Sequence, residues 1–453
     1  MGIAKPIKWI KEYWPIIFVY LLVIAASIYF TFSVQNALLS AIPLLIPLAI
    51  KYKSTIKAVK KYWASIAILL IIFSAFHMRL LDYRWPYLRN IDSYMFYRHM
   101  DYIINNNGVF PLHDPLVQAP NGQPLGTEWY PYQYIGAYSY LFFLNLFPGL
   151  QLWQYLVYFP AFLAALMAIP MYYIGKIIYD KKAGILAAFF VVFEFSNVSR
   201  SLGGDPDSDA IVMLVPLILM ALFLLTYKYI VDNKFDKKAL IYSVITGVAL
   251  ALWAHTWAGY WYILWIITGM IAIRIFLYAA QTKKFKPTFS KSLGLILLYL
   301  ILFTILLAAT YPAYQTKKIN DFLSLMRFQE IKSEEGIEFP NVYVSVAELQ
   351  PGDLRSTIQR TSPIDFNRSP LTLIISPFFL MIYALIYLAY SYYKKRRHFD
   401  TLILLLVWFV GPFLSTIVAV RFSILFSSPI AIGSAIILAK AVNMTMYKEK
   451  LED

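Results

Sequence analysis

Hydrophobic residues recur along this chain in long, nearly unbroken runs, without the alternation or one-sided periodicity of a soluble fold. The runs lie at about 13–32, 36–50, 62–78, 152–175, 183–198, 209–227, 239–254, 256–275, 292–310, 370–392, 400–419 and 422–440. A helix needs ~20 apolar residues to cross a bilayer core, and the shorter runs require local thinning or protein cover. The pattern predicts an all-α multi-pass membrane protein, a helical bundle of about 12 transmembrane helices with two long outer loops. A further apolar run at 135–147 is too short to count as a crossing. Counting it would carry Lys176, Lys181 and Lys182 to the outer side, so it is expected as an interfacial or re-entrant helix on the outer face.

Five segments follow from this pattern. Residues 1–78 hold the N-terminal transmembrane helices, 79–151 a first outer loop with an acidic motif, and 152–310 a transmembrane core with a second acidic motif. Residues 311–369 form a long outer loop, and 370–453 the C-terminal transmembrane helices with a cytoplasmic tail. The first run is long enough to span and lacks a small-residue cleavage signature, so it reads as a transmembrane helix and not as a removed signal peptide.

Composition closes the alternatives to a membrane bundle. With 60% hydrophobic and 14% charged residues, a soluble fold is excluded. The net charge of +15 divides by side. Loops at 1–12, 51–61, 176–182, 228–238, 274–291 and 394–400, with the tail from Lys440, carry 27 Lys and Arg against 8 Asp and Glu; the rest carries 13 against 17. This is the positive-inside asymmetry, so the basic balance reflects topology and attraction to anionic lipid, with no nucleic-acid partner. The absence of cysteine removes disulfides, thiolate catalysis and cysteine metal sites.

Polar residues that interrupt the outer ends of the runs are the candidates for chemistry. Arg200-Ser-Leu-Gly-Gly-Asp-Pro-Asp-Ser-Asp-Ala210 sets Asp205, Asp207 and Asp209 at the border between two apolar runs. Carboxylates there are costly unless solvated, capped or paired. Two carboxylates one residue apart can hold a hard divalent cation through oxygen, or Asp207 or Asp209 can cap a helix starting near Ala210. Upstream, Asn90-Ile-Asp92-Ser-Tyr94-Met-Phe-Tyr97-Arg98-His99 places Asp92 and His99 on one helical face, with Asn90 or Asp92 as an alternative cap. His255 and Trp257 join two runs within an aromatic-rich turn that also suits an interfacial belt. Glu348 lies in Ser345-Val-Ala-Glu-Leu-Gln350, where it is either a further oxygen ligand or solvated. Arg421, between Val420 and Phe422, either snorkels to headgroups or offers a planar fork to a phosphate.

Together, Asp92-Ser-Tyr94 with Arg98, the Arg200–Ala210 stretch, Thr256-Trp-Ala-Gly-Tyr260, Ser345-Val-Ala-Glu348 and Arg421-Phe422 resemble, in their order, the catalytic subunit of oligosaccharyltransferase. The likeness is to the archaeal dolichyl-phospho-oligosaccharide protein glycotransferases of the GT-C class, over Arg79 to about Lys440. The resemblance implies a GT-C-type bundle in the cell membrane with its active site on the outer face. It implies a divalent cation, Mn²⁺ or Mg²⁺, held by Asp92, Asp207, Asp209 and Glu348, with Asp92 and Glu348 also orienting the acceptor amide. Arg421 would bind the donor phosphate, and Arg200, His255 and Trp257 would support the site. The implied reaction is inverting transfer of a glycan from a polyisoprenyl (dolichyl) phosphate or diphosphate, a lipid-linked oligosaccharide, to asparagine of an acceptor protein.

The family's Trp-Trp-Asp-Tyr-Gly motif, which reads the sequon hydroxyl, is absent from these 453 residues. A separate subunit, a longer chain or a different acceptor (lipid, polysaccharide or another side chain) would each account for that. A non-catalytic transporter or assembly subunit on the same fold is the remaining alternative; it is disfavoured because the acids cluster at outer borders instead of mid-membrane between repeats.

Overall fold

Within the described residues the apolar runs fold as helices that break where polar side chains or tight turns interrupt them. The computed structural model describes residues 52–81, 83–84, 86–117, 119–125, 131–232, 237–257, 260–282, 354–361, 376–418 and 422–447. The helices are α1 (Tyr52–Leu80), α2 (Ile91–Asn105), α3 (Pro131–Leu146), α4 (Leu152–Leu166), α5 (Ala168–Ile178), α6 (Lys181–Phe193) and α7 (Phe195–Ser199). They continue with α8 (Asp209–Asp232), α9 (Lys237–Thr256), α10 (Trp261–Thr282), α11 (Leu354–Thr361), α12 (Pro377–Lys395), α13 (Phe399–Val418) and α14 (Ser423–Tyr447).

Among the described residues five stretches are long and apolar enough to cross a membrane: Lys61–Leu80, Leu152–Ile178, Asp209–Lys228, Phe399–Thr416 and Ser423–Thr445. The windows in α8 and α14 are 78% buried against 39% for those in α1 and α13, so α8 and α14 form the middle of the bundle. The runs expected at 13–32, 36–50 and 292–310 lie outside the described residues.

Local chemistry sets the joints. The run at 183–198 does not form one helix. Glu194, in extended backbone, ends α6 and accepts from Asn197 N at 3.0 Å to start α7. Asp180 caps α6 by accepting from Ala183 N at 2.7 Å. Between α5 and α6, a Cβ on Gly175 would lie 2.7 Å from Gly184 Cα, and one on Gly184 would lie 2.5 Å from Tyr172 O. The two backbones therefore touch, the close approach that small residues permit between helices in lipid.

The expected first outer loop is structured. α2 is followed by a two-stranded antiparallel ladder, β1 (His113–Asp114) with β2 (Gln123–Pro124), the one sheet among the described residues. Asp114 ties this ladder to α2: its Oδ2 accepts from Arg98 at 2.6 Å and lies 3.0 Å from His99 Nε2, while Oδ1 accepts from Leu116 N at 3.0 Å. His99 is buried in this cluster, whereas Asp92 is exposed. The face expected to present both residues is covered at its C-terminal end by the hairpin. The short run at 135–147 forms α3, whose Tyr132 ring packs on Phe96 of α2 and Phe159 of α4.

Candidate functional site

The acidic stretch at 200–209 connects α7 to α8 and is held mainly through its backbone. Beneath it lies Arg79, a fully buried cation at the end of α1. Its Nε donates to Ser201 Oγ at 2.8 Å, Nη1 to Ala75 O at 3.1 Å and Nη2 to Val192 O at 2.8 Å, which satisfies a charge the interior could not otherwise hold. The Arg79 carbonyl then accepts from Gly203 N at 2.9 Å. Gly204 N donates to Val157 O of α4 at 3.0 Å, and Arg89 donates from its backbone N to Gly204 O at 2.7 Å and from Nε to Gly203 O at 2.9 Å.

Both glycines are needed for this course. Gly204 has φ +82°, and a Cβ there would meet Tyr83 at 2.6 Å; one on Gly203 would meet Leu80 at 2.7 Å. Two residues further on, the Tyr132 hydroxyl donates toward the carbonyls of Pro206 and Asp207 at 2.8 and 2.9 Å. The loop thus spends its peptide groups on α1, α3, α4 and the Arg89 segment, leaving its carboxylates for other partners.

Those carboxylates differ. Asp205 Oδ1 accepts from Ser93 Oγ at 2.8 Å, which brings the first turn of α2 against the loop. Asp207 accepts from the Ser208 backbone and hydroxyl, the latter at 3.2 Å. Asp209 opens α8 and pairs with Arg200 Nη1 at 3.4 Å. Burial raises the Asp205 carboxyl above the usual aspartate range, against its Ser93 hydrogen bond and the charges of Arg200 and Arg89, with Asp92 adding to the rise. Burial likewise raises Asp207, and Asp205 and Asp92 push it in the same direction. Burial and then the charges of Asp207, Asp205 and Asp209 raise the Tyr132 hydroxyl well above its usual range, so it stays a donor to the loop. Three carboxylates from two distant segments therefore sense one another at one end of the bundle.

The expected residues are placed as follows. Asp92, Asp207 and Asp209 come to this end together with Arg200, but Arg200 is engaged with Asp209. Asn90 makes no side-chain cap to α2, which removes that alternative for it. Trp257 is half-buried at the end of α9, its ring 5.7 Å from Trp253 and 6.3 Å from Tyr262. The side chain of His255, and Glu348 and Arg421 altogether, lie outside the described residues. Among the described residues no three His, Asp or Glu side chains gather as a metal site. The donor chemistry fits a hard divalent cation, since a cation would relieve crowded, partly desolvated carboxylates, but the described ligands do not complete the set. Ser93, Arg89, Arg79 and Tyr132 were not anticipated as site residues. Only Ser93 stood next to a flagged residue, and the others gave no periodic signal.

An apolar groove of about 470 Å³ lies between α10 and α13, lined by Tyr262, Trp265, Gly269, Val410, Gly411 and Ser415 among others. Among the described residues no atom would lie within 4 Å of a Cβ on Gly411.

Residues 63–450 match the family described as "Oligosaccharyl transferase STT3, N-terminal". Among curated proteins the chain is 22% identical to dolichyl-phosphooligosaccharide-protein glycotransferase 3 of Archaeoglobus fulgidus, over 87% of this chain and 52% of that protein. It is also 22% identical to the dolichyl-phosphooligosaccharide-protein glycotransferase of Methanococcus voltae, over 77% of this chain and 41% of that one. The chain thus spans about half the length of the curated relatives it matches. The fold is shared with the archaeal oligosaccharyltransferase AglB from Archaeoglobus fulgidus in complex with an inhibitory peptide and a dolichol-phosphate, at TM-score 0.61 and 20% identity, covering 86% of this chain and 51% of that one. A second structure of the Archaeoglobus fulgidus oligosaccharyltransferase, complexed with Zn and sulfate, aligns at TM-score 0.59 and 20% identity, covering 84% and 50%. With the acidic loop, its glycine-shaped course and a match over most of its length, the chain belongs to the oligosaccharyl transferase STT3 family.

Proposed function

We propose that this chain is the membrane core of an oligosaccharyltransferase, moving a glycan from a polyisoprenyl (dolichyl) phosphate or diphosphate to asparagine of an acceptor protein. The observation that carries this reading is the hydrogen bond from Ser93 to Asp205, which brings the first turn of α2, and with it Asp92, against the acidic loop. On this reading 79–151 and 311–369 are outer loops, and the groove between α10 and α13 takes the isoprenoid chain.

In the transfer, the anomeric carbon–oxygen bond breaks and its electron pair leaves on the lipid phosphate. A carbon–nitrogen bond forms from the opposite face, which inverts the anomeric centre, and the amide proton passes to solvent or a carboxylate. Asp92, Asp207, Asp209 and Glu348 would hold a divalent cation, which when bound supplies charge stabilisation for the departing phosphate. Asp92 and Glu348 orient the acceptor amide, Arg200 fixes Asp209 in place, and Arg421 receives phosphate oxygens in its planar fork. Ser93 holds Asp205 against α2, so that Asp92 is carried to the loop.

Purified chain given Mn²⁺ or Mg²⁺, a lipid-linked oligosaccharide and a sequon peptide is expected to form glycopeptide, and Asp92→Ala or Glu348→Ala to reduce the rate by about 10²-fold or more. Full activity in both variants would remove these residues from the site. Labelling of lipid or polysaccharide instead of peptide would reassign the acceptor.

A further inference from the structure

The opposite end of the bundle holds a second cavity, of about 430 Å³, lined from α5, α8, α10 and the turn joining α12 to α13. From Asp209 to Lys228 along α8 is about 28 Å at 1.5 Å per residue, so this cavity is separate from the acidic loop. Its charged lining is Lys228, Arg274, Arg396 and Asp400, three cations against one carboxylate. Arg274 gives Nε to Asp400 Oδ1 at 2.7 Å and lies over the Tyr227 ring at 5.2 Å, yet among the described residues its buried Nη1 has no hydrogen-bond partner. Such a donor is normally satisfied, and an oxygen-rich anion in the cavity would satisfy it.

The turn is shaped to bring charge in. Arg396 and His398 both adopt left-handed backbone, at φ 56° and 61°, conformations that side chains of this size seldom take. Arg396 is the C-cap of α12, its N–H donating to Tyr392 O at 2.9 Å, so the end of the helix sets the course of the turn. Arg396 and Lys228 are exposed at the cavity mouth and make no ion pair among the described residues. His398 stacks on Tyr179 at 5.3 Å, and burial, then Arg397 and Lys440, keep its ring neutral, so it lines the cavity without adding charge. By the charge bias of the loops this end faces the side of the membrane rich in anionic lipid.

We propose that this cavity is a phosphate-binding site, taking either the headgroup of an anionic lipid or a soluble phosphate. Arg274 supplies the buried donor, and Lys228 and Arg396 the charge at the mouth. The size suits a headgroup, and a neutral headgroup would leave the excess positive charge uncompensated.

The test uses the full chain with two probes. After release from vesicles of phosphatidylcholine and phosphatidylglycerol, native mass spectrometry is expected to show phosphatidylglycerol retained in preference, with Lys228→Gln and Arg396→Asn each weakening retention about fivefold. Asn tolerates the left-handed backbone at 396, and neither exposed side chain holds an ion pair, so both variants should keep the parent melting temperature without ligand. Lys61→Gln, an exposed cation of the same side outside the cavity, should retain lipid like the parent. In neutral detergent, inorganic phosphate is the second probe. A rise in melting temperature that the two cavity variants lose, without lipid preference, would assign the site to a soluble phosphate. If neither probe separates parent from variants, or Lys61→Gln loses as much as they do, the proposal is overturned.

Discussion

Asp205 and Asp209 show how one acidic stretch gives its residues different work. Asp209 is neutralised by Arg200 and begins a helix, whereas Asp205 is drawn to Ser93 and Asp207 is left facing other carboxylates. Because burial and like charge raise Asp205 and Asp207, the folded chain binds their protons more tightly than the unfolded chain. Their protonation therefore favours the native state at acid pH, and that contribution is lost as pH rises through the raised values. On the proposed reading a divalent cation would replace the lost protons, so Mn²⁺ is expected to raise the melting temperature at neutral pH. The gain should fade on acidification at a pH above the ~3.9 of an unperturbed aspartate. Thermal unfolding with and without cation across pH checks this; a gain independent of pH would separate the cation from these carboxylates. The aspartates were visible in the sequence because charge at the border of an apolar run is conspicuous. Ser93 was not singled out, since its partner lies 112 residues away and a single hydroxyl leaves no pattern.

At the scale of elements, the close crossing of α5 and α6 fixes the helices that lead into the acidic loop. Gly184→Val would drive a branched side chain into the Tyr172 carbonyl, and overpacking of this kind costs ~1–3 kcal/mol. The expected outcome is a lower melting temperature and poorer yield, with Gly184→Ala intermediate; an unchanged melting temperature would show that the helices can part without cost. Helix existence and extent were largely legible from hydrophobicity: the run at 209–227 became α8, and that at 400–419 became α13. The break at Glu194 was not, because a lone acid inside an apolar run reads as an interruption only once its capping bond to Asn197 is known. The β1/β2 ladder escaped too, being two residues per strand and held by Asp114 instead of by any alternation of its own.

For the whole molecule, the charge division of the loops predicts that the acidic loop and the lysine-rich turns lie on opposite sides of the membrane. Single cysteines introduced at Gln123 and at Lys395, in a chain with none of its own, should respond oppositely to a membrane-impermeant thiol reagent on intact cells. Gln123 is expected to be labelled and Lys395 protected, and the reverse would invert the topology. The hydroxyl of Tyr132, the guanidinium of Arg79 and the paired glycines steer the acidic loop by its peptide groups. Its course is thereby uncoupled from the identity of its acids. On the proposed reading, exchange of a carboxylate for an amide at Asp207 would silence the transfer while sparing the architecture, which makes this loop the place to build an inert form that captures its substrates without consuming them.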